Sequence, residues 1–538
     1  MASAAATGGG WNKSRSVAGR YSPWLIVAII SIPTFMEVLD TSIANVALQY
    51  IAGGLSISSD EATWTLTSYL VANAIVIPIS GWLSDTIGRK RYFIISIILF
   101  TSASFVCGIA PNLQVLVLAR IAQGIGGGGL APVEQSMLAD TFPPSQRAMA
   151  FAAFAIVVVV GPVLGPTLGG FITEHSSWHW VFLINVPVGI AAVFLVELFV
   201  DEPEQVKKDR DAKTKRGVRI DWVGILLIAG GLGCLEITAD RGERAEWFAS
   251  PLIVTTTIVA VLSLIALVVW ELGQRDPVVD VRLFKNRNFS MTLIVMMMTG
   301  LVLFGTTQLI PQMLQQVLGY SALDAGLAMT VGGIATLVAV PIAGVLSSRM
   351  DVRILLVSAF CMQVAALWYL AHLNANITFW QASTARLISA AGLPFLFVPI
   401  NAVAYEGLKQ TDTAQASSLL NVFRNLGGTL GISTAQTLLA HQQQIHQSRL
   451  VESAQPLNPA YNDYLGSAGQ ALGGQGGGMG GDGSSPALGA LYGTVTQQAS
   501  MEAFISVFWV LMWLVIVVTP LVFLMRKSSS GGGPGGAH

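Results

Sequence analysis

GWLSDTIGRKR (81–91) and GVLSSRMDVR (344–353) lie 263 residues apart and share one plan: Gly-x-Leu-Ser closes a long apolar run, and a short charged turn follows. Runs of about 20 mostly apolar residues cross the hydrocarbon layer as helices. Working outward from the pair, such runs lie near 24–48, 63–83, 92–110, 113–138, 147–172, 181–200, 221–239, 251–272, 292–311, 323–346, 353–371, 379–401, 415–440 and 502–525. The likeness extends beyond the two turns. Arg120 in the fourth run and Arg386 in the twelfth sit at similar depths, and the glycines of the fifth run answer NLGGTLG (425–431) in the thirteenth. The expectation is an all-α integral membrane protein of fourteen transmembrane helices: two six-helix bundles with two helices inserted between them. Parallel halves of this kind enclose a cavity at the midplane.

This reading divides the chain into a tail (1–23), a first bundle (24–200), a basic loop (201–220), the inserted helices 7 and 8 (221–272) and a linker (273–289). The second bundle spans 290–525 and includes a long loop at 441–501, and a low-complexity tail, read as disordered, follows at 526–538. The long loop starts polar (HQQQIHQSR, 441–449) and turns glycine-rich (GGQGGGMGGDGSS, 473–485), which reads as a flexible linker.

Composition agrees. Of 538 residues, 53% are hydrophobic and 11% charged, against about 25% charged in soluble domains. Soluble, disordered and nucleic-acid-binding classes are excluded, and a net charge of -1 gives no overall pull on any partner. Cys107, Cys234 and Cys361 are scattered through apolar runs, too few for a disulfide framework or a zinc site. The chain has no GxxxxGK[ST], HExxH, CxxC or GxSxG motif. An enzyme or nucleotide-driven pump is thus not expected; the energy source implied is an ion gradient, with no cofactor and no metal.

Lysine and arginine set the orientation. With the N-terminus in the cytoplasm, Lys13, Arg15, Arg20, the Arg89–Arg91 turn, Arg147, seven cations between Lys207 and Arg219, Arg275, Arg282, Lys285, Arg287, Arg349, Arg353, Lys409, Arg526 and Lys527 share that side. Only Arg241, Arg244 and Arg449 fall outside, and Arg120, Arg386 and Arg424 lie within spans. Both termini are therefore expected inside the cell.

Ionisable residues within spans are costly and are functional candidates by default. FMEVLDTSIANVAL (35–48) holds Glu37 and Asp40 three residues apart, on one helix face. Asp40 lies roughly 12 Å, and Arg120 roughly 10 Å, in from the outer end at 1.5 Å per residue. Matched depths predict an Asp40–Arg120 pair facing the cavity, which protonation of Asp40 would break. Glu37 is the alternative proton carrier, and the sequence leaves both open. Glu134 is expected near the inner mouth, lining it or reaching solvent. Arg386 and Arg424 are read as internal pairing groups or as sites for anionic substrates. Glu236 and Asp240 approach the outer end of helix 7.

VVVVGPVLGPTLGGFI (157–172) places Gly161, Gly165 and Gly169 at successive fourth positions. That ridge admits another helix backbone at close range, while Pro162 and Pro166 remove backbone donors and invite bending. QGIGGGG (123–129) adds a second close-approach face. At the GWLSDTIGRKR turn, Asp85 is expected beside Arg89 and Lys90, with Gly88 permitting the tight backbone.

These stretches resemble the major facilitator superfamily. GWLSDTIGRK is similar to its loop between helices 2 and 3, with Thr86 where the family has arginine. LARIAQGIGGGG (118–129) resembles the helix 4 arginine motif, and VVGPVLGPTLGG (159–170) resembles the helix 5 antiporter motif. LDTSIANVAL (39–48) is similar to the helix 1 signature of fourteen-helix drug:proton antiporters, with Gln49 in place of proline. WHWVFLINVPVG (178–189), ADRGERAEWF (239–248) and VDVRLFKNRNFS (279–290) resemble the EmrB branch of that group. The likeness is weakest over 453–495.

The resemblance implies multidrug efflux driven by the proton gradient across a bacterial inner membrane, hence antibiotic resistance. It also implies a tripartite pump with a periplasmic membrane-fusion adaptor of EmrA type and an outer-membrane channel of TolC type. It maps proton coupling to Asp40, Glu37 and Arg120, gating to Gly81, Asp85, Gly88 and Arg89, and the helix 5 hinge to Gly161, Pro162, Gly165, Pro166 and Gly169. Candidates for an amphiphile cavity are Asn45, Gln123, Glu134, Met297, Phe304, Gln308 and Arg424. A proton-coupled importer of a small nutrient is the competing expectation, and the helix 5 ridge speaks against it.

Overall fold

The computed structural model describes residues 16–525 apart from 20, 203, 205, 209, 211–219, 376, 454, 456–458 and 474–483. Lys13, Arg15, Arg20, most of the basic loop, the centre of the glycine-rich stretch and the tail from 526 lie outside the described residues.

The described chain is helical nearly throughout, because in hydrocarbon each backbone polar group must find its partner within the protein. Fourteen long helices follow in order: α1 (Pro23–Leu55), α2 (Trp64–Ile87), α3 (Arg89–Gly108), α4 (Leu113–Thr141), α5 (Pro144–His175), α6 (Trp180–Phe199), α7 (Trp222–Arg241), α8 (Pro251–Gly273), α9 (Arg287–Gln316), α10 (Ala322–Arg349), α11 (Val352–Leu370), α12 (Phe379–Ala404), α13 (Thr413–Ser453) and α14 (Ser484–Val518). Thirteen are long and apolar enough to cross a membrane. The exception, α13, runs between α2, α9 and α14, and its buried Ser417, Ser418, Asn421 and Arg424 lower its hydropathy.

The repeat is visible in the packing. Both α4 and α12 are interrupted near the middle, at Gly128–Gly129 and at Leu393. The α5 ridge packs on α1: a methyl at Gly161 would meet Val38, one at Gly165 would run into Ser42, and one at Gly169 would touch Ile43. Pro166 has no N–H to give to the Pro162 carbonyl four residues back; Ser42 Oγ of α1 donates to that carbonyl at 3.1 Å instead. The equivalent seam joins α13 to α9, where Gly427 and Gly431 leave room for the backbone of Met297 and Leu301.

The two sets of helices meet along two seams. In one, α5 lies against α10, with Gly326 beside Thr167 and Gly344 beside Met149 and Ala152. In the other, α2 touches α13: Ser418 Oγ donates to the carbonyls of Ile77 and Pro78 at 2.6 and 3.0 Å. Farther from the α2–α3 turn, α7 lies between them, with Asp240 bonded by Thr67 of α2 and Glu236 by Thr429 of α13.

The described parts of the 441–501 segment are helical where a flexible linker is expected, while the glycine-rich 474–483 lies outside the described residues. Helix α13 continues to Ser453, Pro459–Gly473 is a further helix, and α14 begins at Ser484. At 1.5 Å per residue α13 is roughly 60 Å long, about twice the hydrocarbon thickness, so it projects well beyond it. His446 Nδ1 pairs with Glu502 at 3.0 Å, Gln443 donates to Ser500 at 3.3 Å, and Tyr464 bonds Thr494 at 2.8 Å. HQQQIHQSR is polar yet free of glycine and proline, and its residues are competent helix formers once a neighbouring helix supplies partners.

Candidate functional site: a buried ion pair and the groups around it

Asp40 projects from α1 into the interior of α1–α6 and is 1% exposed. Its Oδ2 accepts from Arg120 Nη1 of α4 at 2.6 Å. Its Oδ1 accepts from Gln123 Nε2 at 3.0 Å and from Asn185 Nδ2 of α6 at 2.6 Å. Arg120, fully buried, also donates Nε to the Thr65 carbonyl at 3.0 Å and lies 4.2 Å from the ring centre of Tyr69. Ser104 of α3 accepts from Gln123 at 3.2 Å and Asn185 at 3.0 Å and donates to the Phe182 carbonyl at 2.9 Å.

The expected pair therefore forms, but not on a cavity wall. Its network closes within the first six helices, so the expectation that the pair faces the cavity is corrected. Gln123, expected to line the cavity, is instead a donor to Asp40. Asn185 and Ser104 were not anticipated; the sole signal was two polar residues inside apolar runs, and sequence gives no way to aim them at Asp40.

Glu37, one turn from Asp40, has the accessible position. It is partly exposed and accepts from Asn73 Nδ2 at 3.2 Å and Tyr69 Oη at 3.3 Å. Tyr69 thus touches both carboxylate sites, its ring over Arg120 and its hydroxyl on Glu37. The charge of Arg424, from α13, acts on Glu37 across the seam between the halves; among the described residues its Nε and Nη2 donate to Asn425 Oδ1 at 3.4 Å. Glu134 is fully buried and accepts from Ser31 Oγ of α1 at 2.5 Å, so neither an inner-mouth nor a solvent-reaching position holds.

Arg386 is also fully buried, and among the described residues it donates to Thr307 Oγ1 at 3.3 Å, with no carboxylate beside it. It follows Arg120 by 266 residues, and the same step from Asp40 arrives at Thr306. The second half keeps the arginine and gives it a threonine hydroxyl of α9 where the first gives it an acid of α1. Met297 and Phe304 are half-buried in the α9–α13 seam, where the Phe304 ring fills the space left by Gly428. Asn45 donates to Gln308 at 3.3 Å and links α1 to α9 in an exposed position.

The turn between α2 and α3 forms a clasp. Gly88 adopts φ of 104°, open to glycine and strained for other residues. Arg89 is 1% exposed and pairs with Asp140 at the end of α4, donates to the Ser136 carbonyl at 3.3 Å and to Thr413 Oγ1 at 2.9 Å. Asp85 stands 3.9 Å from Arg89. Lys90 departs from expectation and pairs with Glu197 of α6 at 3.5 Å. Thr413 is the first residue of α13, so the clasp reaches between the halves, and its hydroxyl contacts Asp140 at 3.2 Å. Nearby, a methyl at Gly81 would come within 3.0 Å of the Ala414 carbonyl. Gln135 bonds Asn401 at 3.2 Å and Asn421 at 2.6 Å, and the Phe151 and Tyr405 rings stack at 5.5 Å. An apolar groove of about 440 Å³ lies elsewhere, between α10 and α12, lined by Val331, Val338, Leu387 and Phe395 among others.

Comparison with known proteins establishes the family and the fold. The family model for the Major Facilitator Superfamily matches residues 30–432. The chain is 36% identical over 519 residues to the multidrug export protein EmrB of Escherichia coli K12, covering 96% of this chain and 98% of that one. It is 36% identical over 512 residues to the fatty acid resistance protein FarB of Neisseria gonorrhoeae, covering 95% and 97%. The solved proton:xylose symporter XylE shares the fold at a TM-score of 0.56 with 14% identity, covering 94% of this chain and 96% of that one.

Proposed function

Because the chain belongs to the major facilitator superfamily, among its EmrB-type multidrug export proteins, it is a multi-pass membrane transporter and not an enzyme, and we propose that it exchanges protons for hydrophobic or amphiphilic compounds. The observation that carries this reading is Asp40, buried with Arg120, Gln123 and Asn185 and joined through Tyr69 to a second carboxylate at the seam. An ion pair sequestered in this way is expensive to form and is weak evidence for stability alone.

In this mechanism Glu37 exchanges the proton. Its donors are a tyrosine hydroxyl and an amide, both from α2, and it faces the Arg424 charge. Asp40 has all its hydrogen bonds turned inward and acts as the positioning group, holding Arg120 under the Tyr69 ring. A proton arriving at Glu37 removes the attraction to Arg424 and frees the halves to separate there. The Arg89–Asp140–Thr413 clasp is the gate on the cytoplasmic side, with both termini on that side. The α5 ridge of Gly161, Pro162, Gly165, Pro166 and Gly169 is the surface along which α1 moves.

Export from a bacterial inner membrane is supported by the relatives' names, and FarB makes fatty acids one substrate class to test. The helical extension of α13 and α14 offers a rigid surface to a periplasmic adaptor within a tripartite pump.

The test uses purified protein in proteoliposomes with an imposed pH gradient, a panel of fluorescent amphiphiles, and Glu37→Gln and Asp40→Asn beside the parent. Dye movement opposite to protons, lost in Glu37→Gln with dye binding retained, is the expected result. Normal transport by both variants makes the site structural. Movement of dye with protons makes the protein an importer.

A further inference from the structure

Helix α7, one of the inserted pair, carries a feature that the mechanism above leaves unused. Its turn at Ala229–Gly233 is π-helical, wider by one residue than the turns around it. Such turns are rare and re-aim the side chains that follow. Glycines at 230, 231 and 233 let α7 lie close to Ser263 and Leu264 of α8 and to Ile75 of α2. One turn on, Glu236 points between the halves, 3% exposed, with Oε1 and Oε2 at 3.0 and 3.1 Å from Thr429 Oγ1 of α13.

The groups facing Glu236 are few. From α13 comes Thr429, while Arg424 donates to Asn425 Oδ1 at 3.4 Å. From α2 comes Thr67, which bonds Asp240. From α8 comes Thr256, paired with Thr238 of α7 at 2.8 Å. On α7 itself Asp240 is the neighbouring charge, and Arg241 turns to Asp60 at 3.3 Å and to the Trp64 ring at 4.1 Å. Among the described residues no cation is paired with Glu236. A hydroxyl has one hydrogen to donate. Sharing that one hydrogen between both carboxyl oxygens leaves a buried negative charge poorly compensated, whereas a proton on the carboxyl removes the charge and can be donated to Thr429 Oγ1.

The contacts also divide by partner. Asp240 with Thr67, and Arg241 with Asp60 and Trp64, tie α7 to the first half. Glu236 with Thr429 ties it to the second. With more of its polar contacts on the first half, α7 is expected to stay with α2 if the halves part, while Thr429 goes with α13.

We propose that Glu236 is a second proton-exchanging site, which holds its proton while bonded to Thr429 in the closed seam and releases it when the seam opens. This rests on the proton-coupled exporter reading and gives the inserted helices a part in the cycle.

Infrared spectroscopy of the full-length protein in liposomes tests it without requiring transport. The parent is expected to show a protonated carboxylic C=O band that is lost in Glu236→Gln and shifted in Thr429→Val. In parallel, proton and dye fluxes are measured in proteoliposomes with a lipophilic fluorescent dye. Glu236→Gln is expected to move fewer protons per dye molecule than the parent, with exchange of dye at zero gradient retained. A Glu236→Gln spectrum identical to the parent's across the pH range, or an unchanged proton-to-dye ratio, overturns the proposal. If Glu236→Gln does not fold, an unshifted band in Thr429→Val overturns it. A parent that moves no protons fails the exporter reading itself, whereas an intact parent with an indifferent Glu236 variant fails only this inference.

Discussion

Asp40 takes hydrogen bonds from Arg120, Gln123 and Asn185, and that arrangement sets what substitutions there will do. Asp40→Asn leaves a buried guanidinium without its counter-charge, a loss of about 3–5 kcal/mol. A lower Tm for the purified variant, together with lost gradient-driven export, is expected. Arg120→Gln in the same chain removes the stranded charge, so the double variant regains stability and stays inactive. Stability that falls further in the double variant argues against the pair. Tyr69→Phe keeps the ring over Arg120 and removes the hydroxyl from Glu37. Loss of one hydrogen bond is worth about 1 kcal/mol, so a severalfold fall in transport with a Tm lowered by no more than a few degrees is expected from flux and calorimetric measurements.

Among the elements, α5 and α13 play matching parts. Gly165 faces Ser42 with no room for a methyl, whereas a methyl at Gly170 has nothing within 4 Å. Forcing extra volume into a packed seam costs about 1–3 kcal/mol. Gly165→Ala is expected to cut initial rates of dye export by about tenfold, and Gly170→Ala to leave them as they are. Equal rates in the two variants argue against sliding along this ridge. The polarity of α13 has the same origin as its position: a helix packed against α2, α9 and α14 has little outward face to keep apolar over that stretch. Its end beyond the hydrocarbon layer was hidden by composition, since glutamine and histidine serve equally in loops and in helices that have partners.

For the whole molecule, the seams decide the state. Arg89, Asp140, Gln135, Asn401, Thr413 and Ser418 close one end. Thr413→Val removes the hydroxyl shared by Arg89 and Asp140, which is expected to loosen that end. With the three natural cysteines replaced by serine, Asn401→Cys, fully buried here, is expected to react faster with a water-soluble maleimide when Thr413→Val is present; an unchanged rate argues against the clasp. Deleting the helix Pro459–Gly473 tests the other end. Transport into proteoliposomes is expected to persist, while co-purification with a periplasmic adaptor is lost.

The sequence by itself determined the membrane class, the order of fourteen helices and the repeat between the two halves. Apolar run length and charge asymmetry are local properties, and the bilayer acts on them locally. Asp40 with Arg120 was legible as well, because two charges at one depth in hydrocarbon have strong reason to meet. Only the tertiary structure decided that this pair looks inward and Glu37 toward the seam, that Gln123 serves Asp40, and that Asp140 and Thr413 complete the clasp. It alone aimed Glu236 at Thr429. Those outcomes depend on how each helix is rotated about its axis and which neighbour it meets, and packing across distant segments fixes that rotation.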